Sequence, residues 1–107
     1  MDSAPVKWMQ ELSQKIDTLV MGSMVIVENE EYFNRMIIAF PNGELQTYDK
    51  RHLFSLVGEN NYYTAGREKI LIEYKDWKIS PLICYDLRFP TWCRNTEMEE
   101  VLIFVAN

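Results

Sequence analysis

The sequence is poor in the residues from which metal and disulfide sites are built. Its 107 residues include two cysteines, Cys84 and Cys93, and one histidine, His52. A zinc site of cysteines and histidines takes about four such ligands, so these three side chains are too few. Disulfides are rare in reducing compartments. We therefore expect two free thiols and no metal.

Positive charge is also scarce. The chain has 11 lysines and arginines against 16 aspartates and glutamates, a net charge of -5. Proteins that bind nucleic acid or anionic membranes are usually basic, because phosphates attract cations. No apolar run approaches the length that spans a bilayer, and the N-terminus lacks a signal-peptide pattern. We expect a cytoplasmic protein that binds neither nucleic acid nor membrane.

Apolar residues make up 48% of the chain, which suits a small globular unit and not a disordered segment. Their spacing predicts one amphipathic helix near the N-terminus, with Ser3 as its N-cap and Pro5 in its first turn. The residues of its predicted buried face are Val6, Met9, Leu12 and Ile16.

Apolar and β-branched runs predict six strands. They cover residues 19–27, 32–40, 44–48, 69–74, 77–83 and 100–106. Pro41-Asn42-Gly43 is a strong turn signal, so the first three strands should form an antiparallel meander with a solvated tip at 28–31. The last strand is almost wholly apolar and needs cover on both faces. We read this as a piece of a larger domain.

Cys84 lies where a predicted strand meets a turn. The run 79–83 is apolar, whereas 85–90 reads Tyr-Asp-Leu-Arg-Phe-Pro, and a helix is expected over 90–98. A thiol on such a bend lies beside backbone amides that can lower its pKa and bind an oxyanion. The alternative is a small buried hydrophobe at a strand end, since free cysteine is among the most buried residue types.

A polar, basic cluster, Asp-Lys-Arg-His-Leu-Phe at 49–54, follows the third strand directly. Loops at strand ends often carry functional side chains, although an ordinary charged surface loop is the simpler interpretation. Residues 55–67 have no clear period and predict a long loop. Tyr62 and Tyr63 would either anchor this loop or line a pocket.

Three segments in this order resemble the nitrilase superfamily of carbon–nitrogen hydrolases, and its omega-amidase-like branch in particular. They are 48–54, 59–66 and 83–90. The resemblance covers essentially the whole chain. It implies an α/β fold, part of an α-β-β-α sandwich in which two packed β-sheets carry outer helices. It also implies hydrolysis of a small carboxamide, such as the omega-amide of a 2-oxo acid, to acid and ammonia without any cofactor.

The resemblance assigns roles to individual residues. Cys84 matches the nucleophile that forms a thioester acyl-enzyme. Lys50 matches the lysine that stabilises the tetrahedral intermediate, and the backbone N–H of Tyr85 would be the second oxyanion donor. Glu59 matches a second glutamate that orients the lysine and the substrate.

Other residues allow two interpretations. Arg88 could bind a substrate carboxylate, or pair with Asp86 or another acid, and the Asp-x-Arg pattern favours an ion pair. His52 suggests a papain-like base, but the family implies a positioning or structural role. Tyr62 could line the substrate pocket, although loop-anchoring aromatics are commoner. Trp77 and Trp92 are assigned to the core, and Cys93 is assigned to inert packing.

The family's general base is a glutamate on an earlier strand, and no residue here matches it. Glu11 belongs to the helix, and the glutamates at 28–31 belong to a hairpin tip. Residues 1–107 are therefore expected to be a partial carbon–nitrogen hydrolase domain, lacking that strand and the C-terminal half. We expect the chain alone to be inactive and marginally stable, and the full-length form to be a homodimer. The alternatives are another amidase, a nitrilase or a carbamoylase, or a non-catalytic fragment or interaction module.

Overall fold

The computed structural model describes residues 3–53, 56, 58–89 and 100–106. These form one α-helix and two three-stranded sheets, and the predicted N-terminal helix and six strands are all present. The elements are α1 (Ala4–Ile16), β1 (Val20–Glu28), β2 (Glu31–Ala39), β3 (Leu45–Asp49), β4 (Ile72–Tyr74), β5 (Trp77–Ile83) and β6 (Val101–Val105). The helix expected over 90–98, with Trp92 and Cys93, lies outside the described residues. Among the described residues, no helix has the length and apolar character that crossing a membrane requires.

Tight turns determine how each sheet is connected. The first sheet is an antiparallel meander in the order β1-β2-β3. Asn29 and Glu30 both have positive φ, the backbone that a two-residue hairpin needs. The second sheet has the order β4-β5-β6, with a hairpin turn at Lys75 and Asp76. Strand β6 pairs parallel to β5, so both strands end at the same edge.

Strand β2 separates two cores because its side chains alternate between the faces of the sheet. Ile37 and Ala39 pack against α1, together with Val6 and Met9 of that helix. The opposite face packs against the second sheet. The buried residues of this inter-sheet core are Met36, Ile38, Phe40, Tyr48, Ile72, Ile79, Leu82 and Ile83. Helix, sheet and sheet are thus three layers of the expected sandwich.

Several expectations about α1 are wrong. Ser3 is at the N-cap, but its side chain makes no capping hydrogen bond. Ile16 is exposed, and Ser13 takes its place on the buried face. The Ser13 hydroxyl can be buried because its Oγ lies 2.6 Å from the carbonyl oxygen of Thr18 and 3.0 Å from that of Ala39.

Apolar residues expected to be buried are exposed at several places. Trp77, assigned to the core, is 54% exposed at the start of β5. Val25 and Val27 in β1 and Leu102 in β6 are also exposed. The described residues therefore leave parts of both sheets uncovered.

Candidate active site

Cys84 occupies the sharp bend at the end of β5. Ile83 is still extended, whereas Cys84 has a φ of 41° and opens a 3-10 helix over Cys84–Arg88. Left-handed backbone is uncommon for a residue with a side chain. The thiol is free and half-buried. The predicted bend is confirmed, and the turn that follows it is of the tighter 3-10 type.

Lys50 follows β3 and is held by its backbone on both sides. Its N–H donates to the Asn34 carbonyl, and its own carbonyl accepts from the Gly66 N–H, each at 2.9 Å. The side chain is only 3% exposed, and Nζ donates to Glu59 Oε1 at 2.6 Å. Burying an ammonium is unfavourable unless it is paired, and Glu59 supplies the partner. The structure thus brings the predicted lysine and glutamate into contact.

A cavity of about 410 Å³ contains all three predicted catalytic side chains. Its lining residues are Ser23, Asn34, Lys50, Glu59, Ile83, Cys84, Val105 and Ala106. Ser23 and Asn34 were not predicted, because nothing in the sequence distinguishes them from the other polar residues of β1 and β2. Ala106 reaches the cavity because the parallel register pairs Val105 with Ile83. Within the described part of the chain, no three histidine, cysteine or acidic side chains could hold a metal ion together.

Asp86 is fully buried behind the bend and joins Cys84's strand to Lys50's loop. Its Oδ2 accepts from the Tyr48 hydroxyl at 2.6 Å and from the Ile83 N–H at 3.0 Å. Its Oδ1 accepts from the His52 N–H at 2.9 Å and lies 3.0 Å from His52 Nδ1. The expected ion pair with Arg88 is wrong: Arg88 is exposed, and no such pair occurs among the described residues.

Of the remaining predicted residues, His52 and Tyr85 lie beside this site and Tyr62 does not. The His52 ring stacks on Phe89 with centroids 3.7 Å apart, and the Tyr85 ring meets Phe89 edge-on at 5.3 Å. Tyr62 is exposed and lines a separate apolar cavity with Tyr63, so it does not contribute to the cavity that contains Cys84.

Arg35 forms a charge cluster that the sequence did not reveal. Its guanidinium binds both oxygens of Asp49, at 2.5 and 3.0 Å, and both of Glu28, at 2.7 and 3.2 Å. Arg35 pairs directly with Asp49 across the sheet, one residue before Lys50. The hydrogen bonds that Arg35 donates to Asp49, and then those to Glu28, raise the pKa of Arg35. The hydrogen bond and charge of Arg35 lower the pKa of Glu28. Glu28 is therefore not part of a simply solvated tip.

The lowered pKa of Glu28 predicts a stability that depends on pH. In the unfolded chain this carboxyl titrates near the ordinary value of about 4.3. Because the folded pKa is lower, the interaction contributes stability above that pH and loses it as the pH falls through the folded pKa. Glu28→Gln should therefore lower the free energy of unfolding at neutral pH and match the wild type in strong acid. Urea titrations across pH would show this, with Glu11→Gln on α1 as the control. A difference that stays constant with pH would contradict it.

Gly66 packs so closely on β3 that no side chain fits. A Cβ built at Gly66 would overlap the Asp49 carbonyl oxygen and lie 2.8 Å from its carbonyl carbon. Gly66→Ala should therefore displace the loop that holds Lys50 and destabilise the fold by about 2 kcal/mol or more. Gly22→Ala is the matched control, because its Cβ would lie 3.6 Å from Met9 Cε, an ordinary contact. Urea unfolding measures both variants, and equal midpoints would refute the prediction.

Comparison with known proteins agrees with this geometry. The carbon-nitrogen hydrolase family model matches residues 1–107. The protein named omega-amidase YafV from Yersinia enterocolitica is 39% identical over 102 residues, which are 95% of this chain and 40% of that protein. The 2-oxoglutaramate amidase of Bacillus subtilis is 39% identical over 89 residues, 81% of this chain and 34% of that enzyme. The chain thus spans about 40% or less of these curated relatives.

A solved structure shows the same fold. XC1258 from Xanthomonas campestris, described as a CN-hydrolase superfamily protein with an arsenic adduct in the active site, superposes with a TM-score of 0.97 at 41% identity. The match covers 100% of this chain and 43% of that one. This likeness confirms the nitrilase-type α/β fold. With the family match over its whole length, the chain belongs to the carbon–nitrogen hydrolase family.

Proposed function

We propose that this chain is the nucleophile-bearing part of an amidase that converts a small carboxamide to its acid and ammonia. The observation that carries the proposal is the placement of Cys84, Lys50 and Glu59 on one cavity. The names of the two amidase relatives support an amide as substrate. The alternatives are another amidase, a nitrilase or a carbamoylase of the same family.

The proposed reaction has two steps. The Cys84 thiolate attacks the amide carbon, a C–S bond forms, and the C–N bond breaks as the nitrogen takes a proton and leaves as ammonia. Water then attacks the thioester, releasing the acid and restoring the thiol. In both steps negative charge develops on the carbonyl oxygen, where the Lys50 ammonium and the Tyr85 N–H would stabilise it. Glu59, 2.6 Å from Lys50 Nζ, would hold that ammonium in place.

The substrate class we propose is the omega-amide of a 2-oxo acid, such as 2-oxoglutaramate. It is supported by relatives named omega-amidase and 2-oxoglutaramate amidase at 39% identity. Such a substrate also carries a carboxylate. Arg88 is exposed and outside the cavity that contains Cys84, so a basic residue from the rest of the domain is the better candidate to bind that carboxylate.

The proposed test is to trap the acyl-enzyme. The complete protein would be mixed with 2-oxoglutaramate, 2-oxosuccinamate or a simple aliphatic amide, quenched in acid during turnover and digested. We expect an acyl mass on the peptide that contains Cys84, no mass on Cys93, and neither adduct nor ammonia from Cys84→Ala. Cys93→Ser is the control and should keep its activity. If no amide acylates Cys84 and the protein still releases ammonia, the mechanism is wrong.

We further propose that residues 1–107 are only part of the catalytic domain and that the general base lies elsewhere in the complete protein. The match to about 40% of the length of the omega-amidase from Yersinia enterocolitica supports this. A cysteine thiol without a neighbouring base stays mostly protonated at neutral pH. We therefore expect the isolated chain to release no ammonia above background from amides that the complete protein hydrolyses. Cys84-dependent release by the isolated chain would contradict this.

A further inference from the structure

The Asp86 carboxylate connects the two halves of the site. Lys50 follows a strand of the first sheet, and Cys84 follows a strand of the second. Asp86 is fully buried between them, and its oxygens accept hydrogen bonds from both sides. Tyr48 and His52 approach from the lysine side, and the Ile83 N–H approaches from the cysteine side.

The partners of Asp86 lie close in sequence to the two proposed catalytic residues, Lys50 and Cys84. Tyr48 and His52 stand two residues before and two residues after Lys50, and Ile83 immediately precedes Cys84. Two backbone N–H groups and a hydroxyl bind the carboxylate directly, at 2.6 to 3.0 Å. A buried carboxylate is stable only when it is hydrogen-bonded in this way, so each contact constrains the others.

We propose that Asp86 is a positioning residue that sets the distance and direction between the Lys50 ammonium and the Cys84 thiol. The inference rests on the proposed amidase function. A donor must lie within about 3 Å of the oxyanion to stabilise it, and small misplacements cost much of the effect. Loss of Asp86 should therefore reduce kcat much more than it changes KM.

Asp86→Asn is the informative variant, because it keeps the size of the side chain. An amide has one oxygen and one NH₂ group. Whichever way it is turned, its NH₂ faces a backbone N–H, that of Ile83 or that of His52. The hydrogen bond from one of these two backbone N–H groups is therefore lost. Asp76→Asn is the matched control: Asp76 is exposed in the β4–β5 turn at a φ of 68°, which asparagine also tolerates.

The measurements are made on the complete protein below its unfolding transition, with rates expressed per folded Cys84. For Asp86→Asn we expect kcat to fall at least about tenfold while KM stays within about threefold. Tyr48→Phe removes one hydrogen-bond donor to Asp86, so its kcat should also fall, but by less. This variant replaces Asp86→Asn if Asp86→Asn does not fold. A kcat within twofold of the wild type for the folded variant would overturn the proposal.

A second measurement does not depend on any substrate. The rate of Cys84 alkylation by iodoacetamide is followed against pH in a Cys93→Ser background. If Asp86 holds Lys50 beside the thiolate, Asp86→Asn should slow alkylation at neutral pH at least about threefold and move the profile to higher pH. If the wild type hydrolyses no amide, the proposed function is refuted. The alkylation rates of the wild type and Asp86→Asn would still test whether Asp86 positions Lys50 beside Cys84. An unchanged profile in that case would refute the positioning role.

Discussion

Lys50→Met in the complete protein is expected to lower kcat for amide hydrolysis by about a hundredfold to a thousandfold, the range typical of removing one oxyanion donor. Methionine has a similar length and no charge, so it fills the space without supplying a cation. The partly buried Glu59 carboxylate would also lose the Lys50 ammonium that lies 2.6 Å away. Because the oxyanion exists only during the reaction, KM should change far less than kcat.

Two further variants make this result specific. Lys7→Met makes the same chemical change at an exposed position of α1 and should leave kcat unchanged. Glu59→Gln keeps an oxygen that can accept from Lys50 and should cause a smaller loss than Lys50→Met. Steady-state kinetics with 2-oxoglutaramate would measure all three variants. If Lys50→Met keeps more than about a tenth of the wild-type kcat, Lys50 does not bind the oxyanion.

Arg35→Met is expected to reduce the free energy of unfolding by about 2 kcal/mol, because it removes charge-assisted hydrogen bonds to two carboxylates that are themselves partly exposed to solvent. The Arg35 side chain is 8% exposed and serves two carboxylates at once. Without it, Asp49 would keep a partly buried charge in the sheet, directly before Lys50. We therefore expect loss of stability first, with loss of activity following from it.

Two further variants test whether the shape of the Arg35 guanidinium matters as well as its charge. Arg35→Lys keeps the charge but cannot bind two carboxylates through paired N–H groups, so its stability should be intermediate. Arg67→Met removes an exposed arginine and should change the free energy of unfolding by no more than about 0.5 kcal/mol. Urea unfolding of the complete protein would measure these values. A loss below about 1 kcal/mol for Arg35→Met would show that the cluster adds little.

Local patterns in the sequence predicted the elements well, because the periodicity of apolar residues depends only on near neighbours. The strand ends, except that of β4 at Ile72, lie within one residue of their predicted bounds. The bend at Cys84 was visible for the same reason, as an abrupt change from apolar to polar residues.

The contacts that could not be predicted join residues far apart in the sequence, because they depend on how distant strands pair. Asp86 binds Tyr48 38 residues away, and no local pattern favours that partner over the nearby Arg88. Arg35 meets Asp49 because β2 and β3 pair in one particular register. The roles of Lys50 and Glu59 came from family resemblance. Their contact is a property of the folded chain.

The left-handed backbone at Cys84 makes this bend an unfavourable place for a side chain. Left-handed backbone costs a residue with a side chain about 1–2 kcal/mol, and glycine avoids that cost. Cys84→Gly would relieve this backbone, but it would also remove a side chain that packs against the inter-sheet core. Strained backbone of this kind gathers at active sites, so the bend itself supports the proposal that Cys84 is the nucleophile.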